Sequence, residues 1–153
     1  MSEWLGFRPH DSAGAAVVDD MLFRFLVDLE VQKARRLRYC VSLVCFAAEV
    51  DASETAELPG PSLTPLVTGH LRGTDVVAPW APTALVLLLV DAEKTELPAI
   101  LRRLTSRLAT RGWSAGGSCY PQTSTHPDDM LREAVALMHR AKNEGGNRLC
   151  VAA

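Results

Sequence analysis

Residues 134–148 read Ala-Val-Ala-Leu-Met-His-Arg-Ala-Lys-Asn-Glu-Gly-Gly-Asn-Arg. With Met130 and Leu131 upstream, Ala134, Leu137, Met138 and Ala141 return every three or four positions, which predicts a helix with one apolar face, started by Pro127. Lys142 in its last turn and the Gly145-Gly146 pair beyond it predict where it stops. A cation suits the carbonyl end of a helix, and glycine accepts the left-handed backbone that a stop requires. Arg148 to Ala152 then reads as a short closing strand.

Working back from this helix, Trp113 to Tyr120 contains a Gly-Gly pair and reads as a strand. Leu97, Ile100, Leu101, Leu104 and Leu108 form a helical stripe, with Glu93 and Glu96 early and Arg102, Arg103, Arg107 and Arg111 late, so that Gly112 is expected to end the helix. Val76-Val77-Ala78 and Leu85 to Val90 are strand-like runs around Pro79-Trp80-Ala81-Pro82-Thr83. Those prolines cannot serve a central ladder, and a β-hairpin is the simplest account. Leu63, Leu66, Val67, His70 and Leu71 predict a short helix closed near Gly73, and Asp51 to Ser62, with Pro-Gly-Pro, an exposed loop. Tyr39 to Ala48 lacks clean alternation, as a central strand covered on both faces does. From about Ala15 to Arg38, Val18, Leu22, Phe25 and Leu29 recur at helical spacing with Asp20, Arg24, Asp28 and Lys33 between them, predicting a long amphipathic helix. The order implies an α+β domain over residues 15–153, with a single mostly antiparallel central sheet flanked by helices, after an N-terminal extension at residues 1–14.

The 153 residues are 48% hydrophobic and 22% charged, enough for one core and no second domain. Sixteen basic against eighteen acidic residues give a net charge of −2, which offers no electrostatic footprint for nucleic acid or anionic lipid. Cys40, Cys45, Cys119 and Cys150 lie in or beside apolar runs without metal-ligand spacing, so reduced, buried thiols are expected and no metal. The start of the chain lacks a basic, then apolar, signal-like pattern, and the apolar run Ala84 to Val90 is too short to span a bilayer. A cytoplasmic protein is the expectation.

The chain resembles GGDEF domains, the bacterial signalling family that makes cyclic di-GMP, from about Leu22 onward. Leu131, Ala134, Ala141, Lys142, Gly145, Asn147 and Arg148 are similar to its C-terminal LxxADxALYxAKxxGRNR, with Val135, Leu137, Met138, His139 and Gly146 departing from it. Glu30, Ala34, Arg35 and Arg36 fit its ExxRAxR, and Ser42 to Phe46 its first core strand. Arg72-Gly73-Thr74-Asp75 fits its RxxD, and five residues separate Asp75 from Ala81, the spacing the family keeps before its Gly-Gly. Where Tyr-Gly-Gly-Asp-Glu-Phe should stand, this chain has Trp80-Ala81-Pro82-Thr83-Ala84-Leu85.

The resemblance implies a cyclase that has lost its chemistry. In the family, carboxylates from two strands hold two divalent cations on the triphosphate. Here Ala47-Ala48-Glu49 stands at the first-strand DxD, and Thr83 and Ala84 replace the acidic pair. Ala81 and Pro82 replace the glycines that let the backbone approach the nucleotide. The segment between Glu49 and Arg72 is too short for the guanine-reading Asn and Asp. No enzyme activity and no cofactor are therefore expected.

What the resemblance leaves is RxxD, the family's inhibitory site for cyclic di-GMP. A guanidinium fork at Arg72 can donate to guanine O6 and N7, and a carboxylate at Asp75 can accept from its N1 and N2 hydrogens. The bland alternative makes Arg72 a helix-end cation and Asp75 a turn residue. Arg8-Pro9-His10-Asp11 is a second RxxD, so only the aligned position singles out Arg72 and Asp75. Lys142 matches a lysine near the nucleotide phosphates and is a weak anion-binding candidate beside its capping role. Scattered His70, His126 and His139 suggest no chemistry, and Trp80 is expected to pack over the sheet or to anchor a protein. Two functions follow: a cyclic di-GMP effector acting through a signalling partner, or a nucleotide-independent scaffold pairing with itself or another protein.

Overall fold

Strand β2, Val41–Val50, is the spine of the molecule in the computed structural model, which describes residues 14–50, 63–106, 108 and 110–153. Around it lie β1 (Ala16–Val17), α1 (Asp20–Leu37), α2 (Leu63–Thr68), β3 (Val76–Ala81), β4 (Ala84–Val90), a 3-10 turn (Lys94–Glu96), α3 (Leu97–Thr105), β5 (Thr110–Tyr120), α4 (Pro127–Asn143) and β6 (Arg148–Val151). The sheet order is β1-β3-β4-β2-β5-β6. The three inner pairings are antiparallel and the two edge pairings parallel. The expected α+β class and mostly antiparallel sheet are thus what forms.

Residues of β2 alternate between two cores. Val44, Phe46 and Ala48 belong to the core on the α2 and α3 side, together with Val67, Leu97, Leu101 and Leu104. Val41, Leu43 and Cys45 face α1 and α4, in the core that holds Phe23, Val27, Met130, Ala134 and Met138. Burial on both faces explains why the strand shows no polar alternation.

The first helix departs from the sequence expectation. It begins at Asp20, after Asp19 whose carboxylate caps Leu22 N at 2.8 Å, because Ala16 and Val17 are drawn off to pair with β3. Its buried face is Phe23, Val27, Val31 and Ala34, while Phe25 and Leu29 point outward. Both stripes satisfy the helical period, and packing on the sheet selects one. Helix α3 ends at Thr105 rather than at Gly112, which lies inside β5. The hairpin forms as expected, yet β3 continues through Pro79 and Trp80 to Ala81, with a register irregularity. β1 covers only Val76 and Val77, so the missing N–H of Pro79 faces no strand. The N-terminal extension up to residue 13, with its Arg8–Asp11, and the loop at 51–62 lie outside the described residues.

All four cysteines are free; Cys45 and Cys119 are buried, Cys40 and Cys150 half-buried. Burial pushes the Cys45 thiol up to about 12 and raises that of Cys40 as well. A thiol reagent such as DTNB is therefore expected to modify Cys150 first and Cys40 slowly, with Cys45 and Cys119 reacting only after denaturation. Absorbance kinetics check this, and early reaction at Cys45 would contradict a central, covered β2.

Candidate functional site

At one end of the sheet, the last residues of β2, the hairpin turn, the start of β5 and the turn after α4 enclose a cavity of about 210 Å³. Ala47, Ala48, Glu49, Thr83, Gly112 to Ser114, Lys142 and Gly145 to Asn147 line it. The α4 end of this wall is built by backbone. Gly146 N donates to Ala141 O at 2.9 Å and Gly145 N to Lys142 O at 3.3 Å, the paired bonds of a Schellman stop. Gly145, Gly146 and Asn147 have φ of 112°, 75° and 55°, three successive left-handed residues. Asn147 then clasps β5: its N donates to Trp113 O at 2.5 Å and its Oδ1 accepts from Trp113 N at 3.3 Å. The helix-end signature thereby has a complete geometric explanation in turning α4 into β6.

Lys142 is exposed on this wall, with Arg140 in the same last turn of α4. Among the described residues, Glu49, exposed, is the one carboxylate lining the cavity. A divalent cation takes six or more oxygen ligands, commonly with several carboxylates. The donors among the described residues, Glu49 and the Thr83 hydroxyl beside Ala47 and Ala48, do not fit a cation pair. Among the described residues no group of three or more His, Cys, Asp or Glu could hold a metal ion.

Arg72 and Asp75 stand elsewhere, at the opposite, open end of the hairpin, a strand length or roughly 20 Å from the turn. The sequence reading assigns Arg72 and Asp75 to one site and Lys142 to another, and in the fold the two lie apart. Asp75 is buried. Its Oδ2 accepts from Arg72 N at 3.0 Å and its Oδ1 from Val90 N at 3.1 Å. Its own N–H donates to Arg72 O at 2.9 Å, closing a turn, and its carbonyl accepts from Ala16 N at 3.2 Å. Arg72 lies outward, with Nη2 donating to Val90 O at 2.5 Å and Nε 3.8 Å from Asp75 Oδ2. The motif staples β1, β3 and β4. Beside it a hollow is lined by Glu30, Lys33, Tyr39, Thr74, Val90 and Asp91, two carboxylates against one ammonium. The Tyr39 phenol donates to Glu30, and burial followed by that bond raises its pKa to about 12.

Trp80 is partly exposed on β3, with the Arg24 guanidinium 5.9 Å from its ring centre. Sequence reading missed Trp113, Ser114 and the Asn147 side chain as cavity residues. An Asn directly after two glycines at a helix end is the signal that marks a left-handed position.

No family model and no curated protein matches the chain. Among solved structures, the GGDEF domain of YfiN (TpbB) from Pseudomonas aeruginosa superposes with a TM-score of 0.76 at 17% identity, covering 88% of this chain and 96% of that one. This chain has the GGDEF-domain fold. A microbial GGDEF domain described in an interaction with cyclic di-GMP gives a TM-score of 0.70 at 19% identity, covering 88% and 93%. The diguanylate cyclase SiaD of Pseudomonas aeruginosa, in complex with its activator SiaC, gives 0.72 at 14%, covering 88% of this chain and 58% of that one. On the GGDEF fold of this chain, the Trp80-Ala81-Pro82-Thr83-Ala84-Leu85 stretch forms the hairpin tip, and no helix is long and apolar enough to cross a membrane among the described residues.

Proposed function

We propose that this chain is a catalytically inactive GGDEF-fold signalling domain that works as a nucleotide-independent interaction module. The observation that carries this reading is the commitment of both Asp75 carboxylate oxygens to backbone N–H groups. With its side chain only 4% exposed, the carboxylate is closed in by these bonds, so a guanine edge could reach it only by displacing the Arg72 and Val90 backbone around it. The acidic hollow beside it further disfavours a dianionic dinucleotide. The described donor set at the cavity supports the inactive reading. Losing one charge-stabilising group already lowers a rate by roughly 10² to 10³, and here metal ligands and glycines are replaced together.

A second reading keeps cyclic di-GMP as an effector ligand, favoured by the exposed Arg72 guanidinium at the aligned position and by the ligand of the microbial relative. Lys142 would be its counterpart for an anion at the cavity. Calorimetric titration of cyclic di-GMP into the wild type and Arg72→Ala, with GTP and Mg²⁺ as control ligand, separates the two. We expect no heat from either nucleotide and no cyclic product above a protein-free control. Micromolar binding lost in Arg72→Ala would establish the effector, and product formation would end the claim of inactivity. SiaD, bound to its activator SiaC, is a neighbour of the same fold that engages a second protein, which supports the module reading.

A further inference from the structure

Strands β2 and β5 set Ser42 opposite Cys119. Both side chains point to one face of the sheet, where Ser42 Oγ donates to Ala92 O at 2.7 Å and the Cys119 thiol lies 3.8 Å from the same oxygen. Cys40 comes two residues before Ser42, so the strand period turns its side chain to that face as well. Right-handed twist brings one diagonal of an antiparallel pair closer than the other, and across this diagonal the Cys40 and Cys119 thiols share a hydrogen bond. The fold thus joins two thiols that are far apart in the chain. Cys45 points into the core on the α1 and α4 side, and Cys150 lies on β6 beside Glu144.

The two joined thiols differ in access. Cys40 is half-buried and Cys119 fully enclosed. An external reagent therefore meets Cys40, and Cys119 stands behind it as the group that resolves what forms there. Burial first, then the neighbouring Cys119 and the Glu93 carboxylate, raise the pKa of the Cys40 thiol. Only a small fraction is thiolate at neutral pH, so the first attack is slow. A brief oxidant leaves the pair untouched, and a sustained one closes it.

We propose that Cys40 and Cys119 form a reversible disulfide, a redox switch that fastens the corner between α1 and β2 to the end of β5. The oxidant is a small disulfide of the glutathione class. The Cys40 thiolate attacks one of its sulfurs, the small S–S bond breaks, a mixed disulfide forms on Cys40, and the first small thiol leaves. Cys119 then attacks the Cys40 sulfur, the protein disulfide forms, and the second small thiol leaves. Two electrons pass from the protein thiols to the small disulfide, and the two thiol protons end on its products. Cys40 precedes the first ladder residue, Val41, so the corner can close to the short Cβ separation a disulfide requires without breaking a strand pairing. Gln122 Oε1 accepts from Cys119 Sγ at 3.2 Å and from Lys94 N at 3.0 Å, and it keeps the second bond when the thiol proton is lost. The switch does not depend on whether the domain binds a nucleotide.

The test uses the full chain carrying Cys150→Ser, which keeps that thiol out of the reaction, equilibrated with glutathione mixtures of rising oxidised share. Mass mapping after acid quench should show the Cys40 and Cys119 peptides linked, two hydrogens lighter than their sum, with Cys45 still a thiol. The link closes a loop of about 80 residues, so the melting temperature should rise by roughly 5–15 °C and fall back with dithiothreitol. Cys119→Ala should instead keep glutathione on Cys40. Cys40→Ser, at a half-buried position and so the safer variant for folding, should show neither a link nor a rise. Glutathione retained on Cys40 when Cys119 is present overturns the proposal. So does a chain that stays fully reduced at the most oxidising mixture, a link that forms only after denaturation, or a link that leaves the melting temperature unchanged.

Discussion

Gly116→Ala is expected to lower the melting temperature by roughly 10 °C, or to abolish folding, because it destabilises the chain by about 3 kcal/mol or more out of a total of roughly 5–15 kcal/mol. A Cβ at this position would lie 2.2 Å from Ala134 O, 2.3 Å from Met138 N and 2.7 Å from Leu137 C. All three are backbone atoms of α4, so no side chain can rotate aside. Nor can the helix retreat freely. Met130, Ala134 and Met138 are buried against the sheet, and Ser118 Oγ on β5 donates to Met130 O at 2.7 Å. The neighbouring Gly117 faces the other side, where an added Cβ would lie 2.9 Å from the flexible end of Leu97, so Gly117→Ala should be milder, near 1 kcal/mol. At Gly112 the nearest atom is Asn147 Oδ1 at 3.9 Å, and Gly112→Ala should be close to neutral. Thermal denaturation by circular dichroism ranks the three, and equal effects at 112 and 116 would contradict the intimate packing of α4 on β5.

Asp75→Ala is expected to cost about 2–4 kcal/mol, since hydrogen bonds to a charged acceptor are worth roughly 1.5–3 kcal/mol and two part-buried donors lose a buried partner. Asp75→Asn keeps one carbonyl acceptor and should lose about half as much. Arg72→Ala should lose less than about 1 kcal/mol, because its guanidinium is more than half exposed and its charge is screened by water. The ranking separates a structural staple from a ligand site. A motif retained for a ligand would give two variants of near-native stability and matched losses of affinity; the staple gives a steep stability difference between Asp75 and Arg72. Urea unfolding of the three variants measures it. A double variant at both positions would confuse unfolding with lost binding, so Arg72→Ala alone is the proper probe of nucleotide affinity.

Much of this is legible in the sequence, and the gaps have physical causes. The α4 stop can be read because caps and glycines act over a few residues, and Gly145, Gly146 and Asn147 set it locally. The hairpin is readable for the same reason. The buried face of α1 is not, because apolar residues occupy both sides of that helix and only the placement of Ala16 and Val17 in the sheet fixes its start and phase. The close approach at Gly116 involves a helix that begins eleven residues later, and no local pattern announces it. At the motif level, RxxD can be found but its use cannot: whether a carboxylate faces a groove or a row of N–H groups depends on Val90, fifteen residues on.

The strand order has one further consequence, for synthesis. The sheet face built by Val41, Leu43 and Cys45 is shared by α1, made early, and α4, made near the end. A ribosome adding about 5–20 residues per second delivers α1 and β2 seconds before the helix that shields the rest of that face. During this interval the growing chain holds an open, oily sheet, the kind of surface that holding chaperones bind. A message cut short anywhere before Pro127 would therefore yield an aggregating fragment, never a smaller working domain.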